Sequence, residues 1–307
     1  LDHVGSGKDW DLSRKHGGLR ILPPFSYADK RGDGNYRGRM DALAGVYSYL
    51  QNIRQDTVVL AGGDLAVNLP LREIYASHVK SGADITAVCT STPKGTPRSC
   101  DYFTVDKEGF ASDIVVHPSE AVGCESLEVY ILSKDLLLSL VDYCSAHDIS
   151  SFSQGVLLTM KDQLKIHVYV HEGYAARLQS VSGYFARSME LLDPQVRAQL
   201  FVPERPIKTK DQSNPSTYYG PEAKSLNSLV ADGCLIEGEV ENSILFRGVR
   251  VEKGARVSNC VLMQGTVIQA EAVLKYVITD KNVRVNPGRM LMGHSSYPLA
   301  IAKNEIV

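Results

Sequence analysis

The sequence predicts a Rossmann-like α/β domain followed by an all-β domain, a left-handed parallel β-helix. Two patterns support this prediction. In the first two thirds of the chain, short apolar runs alternate with segments of helical periodicity, as they do in α/β sheets. From residue 228 onward, small or β-branched residues recur every six positions, which fits a triangular coil with three six-residue sides.

The composition is that of a globular protein, with 44% hydrophobic and 22% charged residues. A net charge of -2 gives no reason to expect a nucleic acid or an anionic membrane surface as partner. No apolar run reaches the roughly 18 residues that a membrane helix needs, so we expect a cytoplasmic protein. The six cysteines form no CxxC pair, and we expect buried thiols rather than zinc ligands or disulfides.

The α/β domain is predicted over residues 1–202, followed by a proline-rich linker at 203–227, the β-helix at 228–293 and a tail at 294–307. The strand–helix–strand alternation between residues 58 and 89 favours a parallel sheet. Residues 102–106 and 111–117 should form an antiparallel hairpin. We expect further strands at 19–22, 58–60, 85–89, 127–132 and 164–170, and helices at 41–51, 71–81, 134–144 and 181–192.

The β-helix prediction depends on seven small or β-branched residues that are six positions apart: Val249, Ala255, Val261, Val267, Val273, Thr279 and Val285. We expect their side chains to point inward, because the prism is too narrow for large ones. A coil of three six-residue sides takes about 18 residues. Val249, Val267 and Val285 should therefore stack at one corner.

Residues 58–71 contain the candidate ligand position of the α/β domain. An apolar run is followed by Gly62 and Gly63, and Asp64 comes at the end of a strand that we expect to be buried. Ligands bind at the carboxyl ends of strands in open α/β sheets, so Asp64 is well placed to bind a metal. The two glycines would let the backbone approach a nucleotide or sugar closely. The same residues would also fit a tight turn in which Asp64 only caps a helix.

Three segments resemble those of bacterial ADP-glucose pyrophosphorylases, the glucose-1-phosphate adenylyltransferases. YRGRMDA at residues 36–42 resembles YRGTADA, LAGGD at 60–64 resembles LSGDH, and SLVADGCLIEG at 228–238 resembles SLVSGGCIISG. The resemblance extends over essentially the whole chain and implies a nucleotide-diphospho-sugar transferase domain with a hexapeptide β-helix, acting in glycogen synthesis. We expect the family's GGxGxRL loop and first strand upstream of Leu1.

The resemblance also implies that active members hold magnesium between two aspartates. Asp64 matches the first aspartate, but Arg177 stands at the second, where the family reads DVGTIDSYWEAN. An always-protonated guanidinium would repel a divalent cation, so the metal site is expected to be vestigial. His117 replaces the lysine of FVEKP that binds the sugar phosphate, and Ser151 replaces the aspartate of DFG that contacts glucose.

These replacements favour a regulatory or accessory subunit that does not itself make ADP-glucose and requires no cofactor. Gly62 and Gly63 would then line a vestigial pocket for nucleotide and sugar. An active adenylyltransferase that uses magnesium and a non-catalytic sensor of sugar phosphates or nucleotides are the alternatives. A hexapeptide acyltransferase would need a histidine near its coils, and residues 228–293 contain none.

The expected partner is a catalytic ADP-glucose pyrophosphorylase subunit, or a second copy of this chain. The family's tetramers use contacts between β-helices and between α/β domains, so the outer faces of the β-helix are candidate contact surfaces. A small anionic effector could also bind there, at a group of three arginines, although solvated outer faces of the β-helix are the favoured explanation for the same residues. These arginines are Arg247, Arg250 and Arg256.

Overall fold

The computed structural model describes residues 3–23, 36–91, 99–210 and 213–307. The chain divides into two compact units, Leu1–Arg177 and Leu178–Val307. The linker expected from residue 203 therefore lies inside the second unit. The helix that contains Phe185 also belongs to the second unit, because Phe185 packs against Val261 and Ile278 of the β-helix.

The described residues of the first unit form a six-stranded mixed sheet, a separate two-stranded sheet and four α-helices. The sheet order is β5-β4-β6-β3-β7, with β1 also paired to β6, and β2 pairs with β8. The helices are α1 (Arg39–Gly45), α2 (Tyr47–Asn52), α3 (Leu71–Ser81) and α4 (Lys134–Ala146). The strands are β1 (Thr57–Leu60), β2 (Leu65–Val67), β3 (Ile85–Thr90), β4 (Asp101–Val105), β5 (Ala111–Val116), β6 (Cys124–Ser133), β7 (Ile166–His171) and β8 (Ala175–Arg177).

The predicted α/β domain is confirmed, but its sheet is mixed rather than parallel. Strands β1 and β3 run in the same direction, as the strand–helix–strand pattern requires. However, β6 lies between them and pairs antiparallel with both. Strand β3 is parallel to its other neighbour, β7, and the predicted hairpin is confirmed by the antiparallel pairing of β4 with β5. The local sequence pattern therefore predicts the relative direction of β1 and β3, but it does not predict that β6 lies between them.

Two local predictions are wrong. No strand forms at residues 19–22, where the Leu19 N–H donates to the Leu12 carbonyl within a loop, and Pro24 lies outside the described residues. The single helix expected over residues 41–51 is divided into α1 and α2, because Val46 has a φ of -117°, outside the helical region.

Strand β6 is buried on both faces and organises the core of the first unit. Tyr130 and Leu132 belong to the apolar cluster that includes α4, whereas Val129 and Ile131 belong to the cluster around Ile74 of α3. This alternation follows from the two-residue period of a strand. In the described part of the chain, no helix is long and apolar enough to cross a membrane.

The second unit is a parallel β-helix with three five-stranded sheets, preceded by α5 (Val181–Glu190) and α6 (Pro194–Leu200). Its strands begin at residue 218, inside the expected linker, because β9 pairs in parallel with β12. The strands are β9 (Tyr218–Tyr219), β10 (Lys224–Leu226), β11 (Leu229–Val230), β12 (Leu235–Ile236), β13 (Glu239–Glu241), β14 (Ile244–Leu245), β15 (Arg250–Val251), β16 (Arg256–Ser258), β17 (Val261–Leu262), β18 (Val267–Ile268), β19 (Val273–Lys275), β20 (Val277–Thr279), β21 (Arg284–Val285), β22 (Met290–Met292) and β23 (Leu299–Ile301).

The central coils are 17 residues long, not 18. Arg250 pairs with Val267, and Val267 pairs with Arg284, each pair 17 positions apart. One side of each triangular coil is therefore a residue shorter than the other two. As a consequence, the buried Thr266, and not Val267, follows Val249 at the corner of the next coil.

Because one side is shorter, some of the seven residues that were predicted to point into the β-helix core do not point inward. Val249 and Val285 are fully buried in the β-helix core, as expected. Val261 instead lies on the outer surface, where Phe185 of α5 covers it, and Val267 and Val273 are only half-buried. The β-helix itself is confirmed, but a strict six-residue period does not identify all of its core positions.

Candidate functional site

An ion-pair network lies in the first unit, where β2 and β8 come together. The two strands pair antiparallel with Leu65 opposite Arg177, and this pairing brings Asp64, the residue before β2, beside the arginine. The Arg177 Nη2 and Nε atoms both donate to Asp64 Oδ2, at 2.8 and 3.2 Å. The two residues that the resemblance placed at the metal position thus bind each other directly.

Glu128 is the second carboxylate of the network, and the sequence analysis missed it. It lies in β6 where the pairing register with β3 shifts, and it has a φ of +52°. This left-handed conformation is uncommon for a residue other than glycine. It is accompanied by a hydrogen bond of 3.0 Å from the Glu128 N–H to Ser126 Oγ. The Glu128 carboxylate accepts hydrogen bonds from Arg177 Nη1 at 2.5 Å and from Arg39 Nη2 at 2.8 Å.

Arg39, the first residue of α1, completes the network. Its guanidinium carbon lies 5.5 Å from the centre of the Tyr130 ring, within the range of a cation–π interaction. The charges therefore alternate from Asp64 through Arg177 and Glu128 to Arg39, two negative and two positive. A signal for Arg39 was present in the sequence, because YRGRMDA has arginine where the family segment YRGTADA has threonine.

Arg177 is buried, with 9% of its surface exposed. Burial alone would lower the pKa of Arg177, but the hydrogen bonds from its guanidinium to Glu128 and Asp64 outweigh this effect and raise it. The side chain therefore stays cationic at every physiological pH. Its charge is fully engaged by two carboxylates.

The residues present do not fit a divalent cation. Magnesium needs several oxygen ligands arranged around open space, whereas Asp64 Oδ2 accepts two hydrogen bonds from a cationic side chain. Among the residues that the structure describes, no group of three or more His, Cys, Asp or Glu side chains is arranged to hold a metal.

The two glycines before Asp64 differ in their surroundings. A Cβ atom at Gly62 would lie 2.7 Å from Asp64 Oδ1, so a side chain there would displace the carboxylate. A Cβ atom at Gly63 would meet no atom within 4 Å. A side chain at Gly62 would therefore require Asp64 to move, whereas packing places no such demand on Gly63.

Another expected site residue, His117, lies close to Asp101, a buried residue of β4. His117 follows β5 with a φ of +52°, and its charge acts on the Asp101 carboxylate. Ser153 donates a short hydrogen bond to Asp101 Oδ2, whereas Oδ1 is buried and has no hydrogen-bond partner among the described residues. Ser151 is used differently, since its Oγ accepts a hydrogen bond from the backbone N–H of Gln154 at 3.2 Å.

Burial raises the pKa of Asp101, and the hydrogen bond from Ser153 only partly opposes this. The folded protein therefore binds the proton of Asp101 more tightly than the unfolded chain, whose aspartates titrate near pH ~3.9. The stability that the folded protein gains from this tighter proton binding is complete below that pH. It is lost as the pH rises through the pKa that Asp101 has in the folded protein. Asp101→Asn should remove this loss, so that the variant gains stability relative to the wild type as the pH rises.

Urea unfolding of both proteins at a series of pH values from about 4 to 7 measures this difference. Asp113→Asn is the matched control, because a hydrogen bond from Lys161 lowers the pKa of Asp113 and places its titration below this pH range, so that little trend is expected. A constant difference between Asp101→Asn and the wild type across the series would contradict the prediction.

The three arginines considered as an effector site do not converge. Arg250 and Arg256 lie on strands of different sheets of the β-helix, and Arg247 lies between β14 and β15. The Nε atom of Arg256 is 3.9 Å from Glu239 Oε2. Their placement gives no common position for one anion.

Comparisons with known proteins define the class. The family described as "GlmU-like, C-terminal hexapeptide" matches residues 216–296, which include most of the β-helix. The glucose-1-phosphate adenylyltransferase of Geobacillus stearothermophilus is 29% identical over 259 residues, 83% of this chain and 66% of that protein. The enzyme of the same name from Thermotoga neapolitana is 28% identical over 263 residues, 83% of this chain and 61% of that protein. These similarities and the fold indicate a nucleotidyltransferase-like domain joined to a hexapeptide β-helix.

A more specific relative is the glycogen biosynthesis protein GlgD of Bacillus subtilis. It is 33% identical over 304 residues, which are 99% of this chain and 78% of that protein. The chain therefore belongs to the GlgD family, and the resemblance to ADP-glucose pyrophosphorylases that its motifs indicated is confirmed.

Proposed function

We propose that this chain is a regulatory or accessory subunit of glucose-1-phosphate adenylyltransferase in glycogen biosynthesis, and that it does not itself make ADP-glucose. The observation that carries the proposal is the direct bonding of Arg177 to Asp64 and Glu128. The similarity to a glycogen biosynthesis protein and to adenylyltransferases supports the pathway and the partner.

The chemistry of the reaction explains how this arrangement supports the proposal. The phosphate oxygen of glucose 1-phosphate attacks the α-phosphorus of ATP, a bond to the attacking oxygen forms, and pyrophosphate leaves. Magnesium and cationic side chains must neutralise the charge that develops. Here the network of two carboxylates and two guanidiniums is neutral and bonded within itself. It offers neither a ligand set for magnesium nor excess positive charge for the phosphates.

A subunit without turnover can still act on an active one. If this chain binds one conformation of a catalytic subunit more tightly than another, it shifts the equilibrium between them. Coupling of this kind is reciprocal, so substrates bound by the catalytic subunit would change its affinity for this chain by the same factor.

The test is an assay of ADP-glucose formation with ATP, Mg²⁺ and glucose 1-phosphate. We expect no turnover by this chain alone, and a changed rate or effector response when it is added to the catalytic adenylyltransferase of the same organism. Turnover by the chain alone that Asp64→Asn abolishes would establish the active-enzyme alternative instead. An unchanged rate after mixing, together with calorimetric binding of a sugar phosphate or nucleotide, would establish the sensor alternative.

A further inference from the structure

The tip of the hairpin formed by β4 and β5 contacts β7, a strand at the far end of the sheet. In the order β5-β4-β6-β3-β7, the hairpin and β7 are at opposite ends. Nevertheless, Phe110 at the tip forms an antiparallel bridge with His167 of β7, and the Val168 N–H donates to the Gly109 carbonyl at 2.9 Å. The hairpin tip, residues 106–110, is therefore docked on β7 through a short stretch of backbone.

His167 is the half-buried side chain at the centre of this contact. Its ring packs edge to face with Phe110, with the ring centres 5.7 Å apart. A Cβ atom at Gly109, whose φ is +89°, would lie 3.3 Å from His167 Nε2, so a larger residue would be strained there and would crowd the imidazole. The Nδ1 atom of His167 is buried, and none of the described residues forms a hydrogen bond with it. The docked tip thus offers no acceptor for a proton on Nδ1.

A second imidazole, that of His78 in α3, acts on His167. Thr86 of β3 pairs in register with His167, and its Oγ1 atom lies 2.8 Å from His78 Nδ1. Burial lowers the pKa of His78, and burial together with the charge of His78 lowers the pKa of His167. A proton on either ring therefore makes a proton on the other less favourable.

The carboxylates on the elements around the contact are engaged elsewhere. Each accepts hydrogen bonds within the chain: Asp84 from the Lys165 N–H, Asp106 from the N–H groups of Glu108 and Phe110, and Asp113 from Lys161 Nζ. The other charged side chains of α3 and of the hairpin tip are exposed to water: Arg72, Glu73, Lys80, Lys107 and Glu108. On β7 itself, the nearest titratable side chain on the same face is His171, four residues further along. Within the described part of the chain, His78 is thus the charged group that acts on His167.

We propose that His167 is a pH-sensitive latch, which keeps the hairpin tip docked on β7 while its imidazole is neutral and releases the tip when the imidazole is protonated. An imidazolium carries an N–H donor on both nitrogens. In the docked state, the Nδ1 N–H and its positive charge would be buried without an acceptor, which is unfavourable. Release of the tip exposes both to water. The inference does not depend on the proposed function.

The direction of the pH dependence follows from the lowered pKa of His167. Its contribution to the docked state is complete above the pKa of a free histidine, about 6.5. That contribution is lost as the pH falls below this value and through the lower pKa that His167 has when the tip is docked. Acidification therefore favours release. The same hairpin carries two candidate site residues, because β4 begins at Asp101 and His117 directly follows β5.

The test is hydrogen–deuterium exchange of the full chain at about pH 7.5 and pH 5.5, with rates corrected for the intrinsic effect of pH. Protection of the hairpin tip should fall by about threefold or more at the lower pH, while β6 stays protected. His167→Phe keeps a ring against Phe110 but cannot be protonated, so its tip should be equally protected at both pH values. His147→Phe, at an exposed histidine of the first unit that stacks on Tyr143, is the matched control and should keep the wild-type pH dependence.

Nuclear magnetic resonance of histidine-labelled wild type gives a second readout. The His167 signal, assigned by its loss in His167→Phe or, if that variant does not fold, in His167→Gln, should titrate with a pKa below the value of about 6.5 for a free histidine. A pKa at or above that value would overturn the proposal. Equal protection of the wild-type tip at both pH values would do so too, as would a pH dependence that persists in His167→Phe. Loss of protection throughout the first unit at pH ~5.5 would mean global unfolding instead of release, and would count equally against the latch.

Discussion

Arg177→Met should lower the free energy of unfolding by about 3 kcal/mol. Removing one partner of a buried ion pair leaves uncompensated charge, which typically costs about 3–5 kcal/mol. The lower end applies because Asp64 and Glu128 keep 34% and 24% of their side-chain surfaces exposed, and Arg39 still balances Glu128. Urea or thermal unfolding measures the difference.

Arg187→Met is the matched control for this prediction. Arg187 forms an ion pair with Glu190, three residues along α5, in which both side chains keep access to solvent, and its loss should cost less than about 1 kcal/mol. If the two substitutions had equal effects, the network around Arg177 would contribute no more than an ordinary surface pair.

Arg177→Asp should create a site for a divalent cation that the wild type lacks. The substitution removes the guanidinium and adds a third carboxylate beside Asp64 and Glu128, and oxygen ligands of this kind suit Mg²⁺ and Mn²⁺. Mn²⁺ alone is the probe, because its binding is read directly by electron paramagnetic resonance. At about ten times its dissociation constant, it should stabilise the variant by about 1.4 kcal/mol.

Arg177→Asn removes the guanidinium without adding a carboxylate and is the control for Arg177→Asp. We expect Mn²⁺ to raise the melting temperature of the aspartate variant by several degrees and to leave the asparagine variant and the wild type unchanged. Equal responses in both variants would show that the carboxylate added at position 177 is not a ligand, and would contradict the prediction.

The Asp64–Arg177 contact could be anticipated from sequence, but the rest of the network could not. Motif resemblance aligned both residues with one metal position, so their proximity followed once the family was recognised. Glu128 reaches Arg177 because a register shift in β6 takes its side chain out of the regular pleat. That shift depends on the pairing of two distant strands, and no local pattern encodes it. A single carboxylate within the apolar run LEVYIL was the available hint.

The β-helix shows a similar division between what sequence periodicity reveals and what it does not. Recurring small residues identified the repeat, because every coil places them at its narrow core. The length of the coil depends on its corners, where one side takes a residue fewer. Val267 kept the six-residue spacing yet lies half-buried on the surface, whereas Thr266, which the pattern had passed over, is buried. The types of residue that recur at a fixed spacing do not show which of the neighbours Thr266 and Val267 points into the core.

The contact of Phe185 with Val261 and Ile278 determines where this protein can be cut. A truncation placed at residue 203, in the proline-rich stretch, would remove α5 and leave an apolar strip of the solenoid open to water. A fragment that starts at residue 178 retains its own helical cover. The part of the chain that can be transferred to another protein is therefore the β-helix together with α5. In a chimaera with another transferase, the junction should be placed before α5.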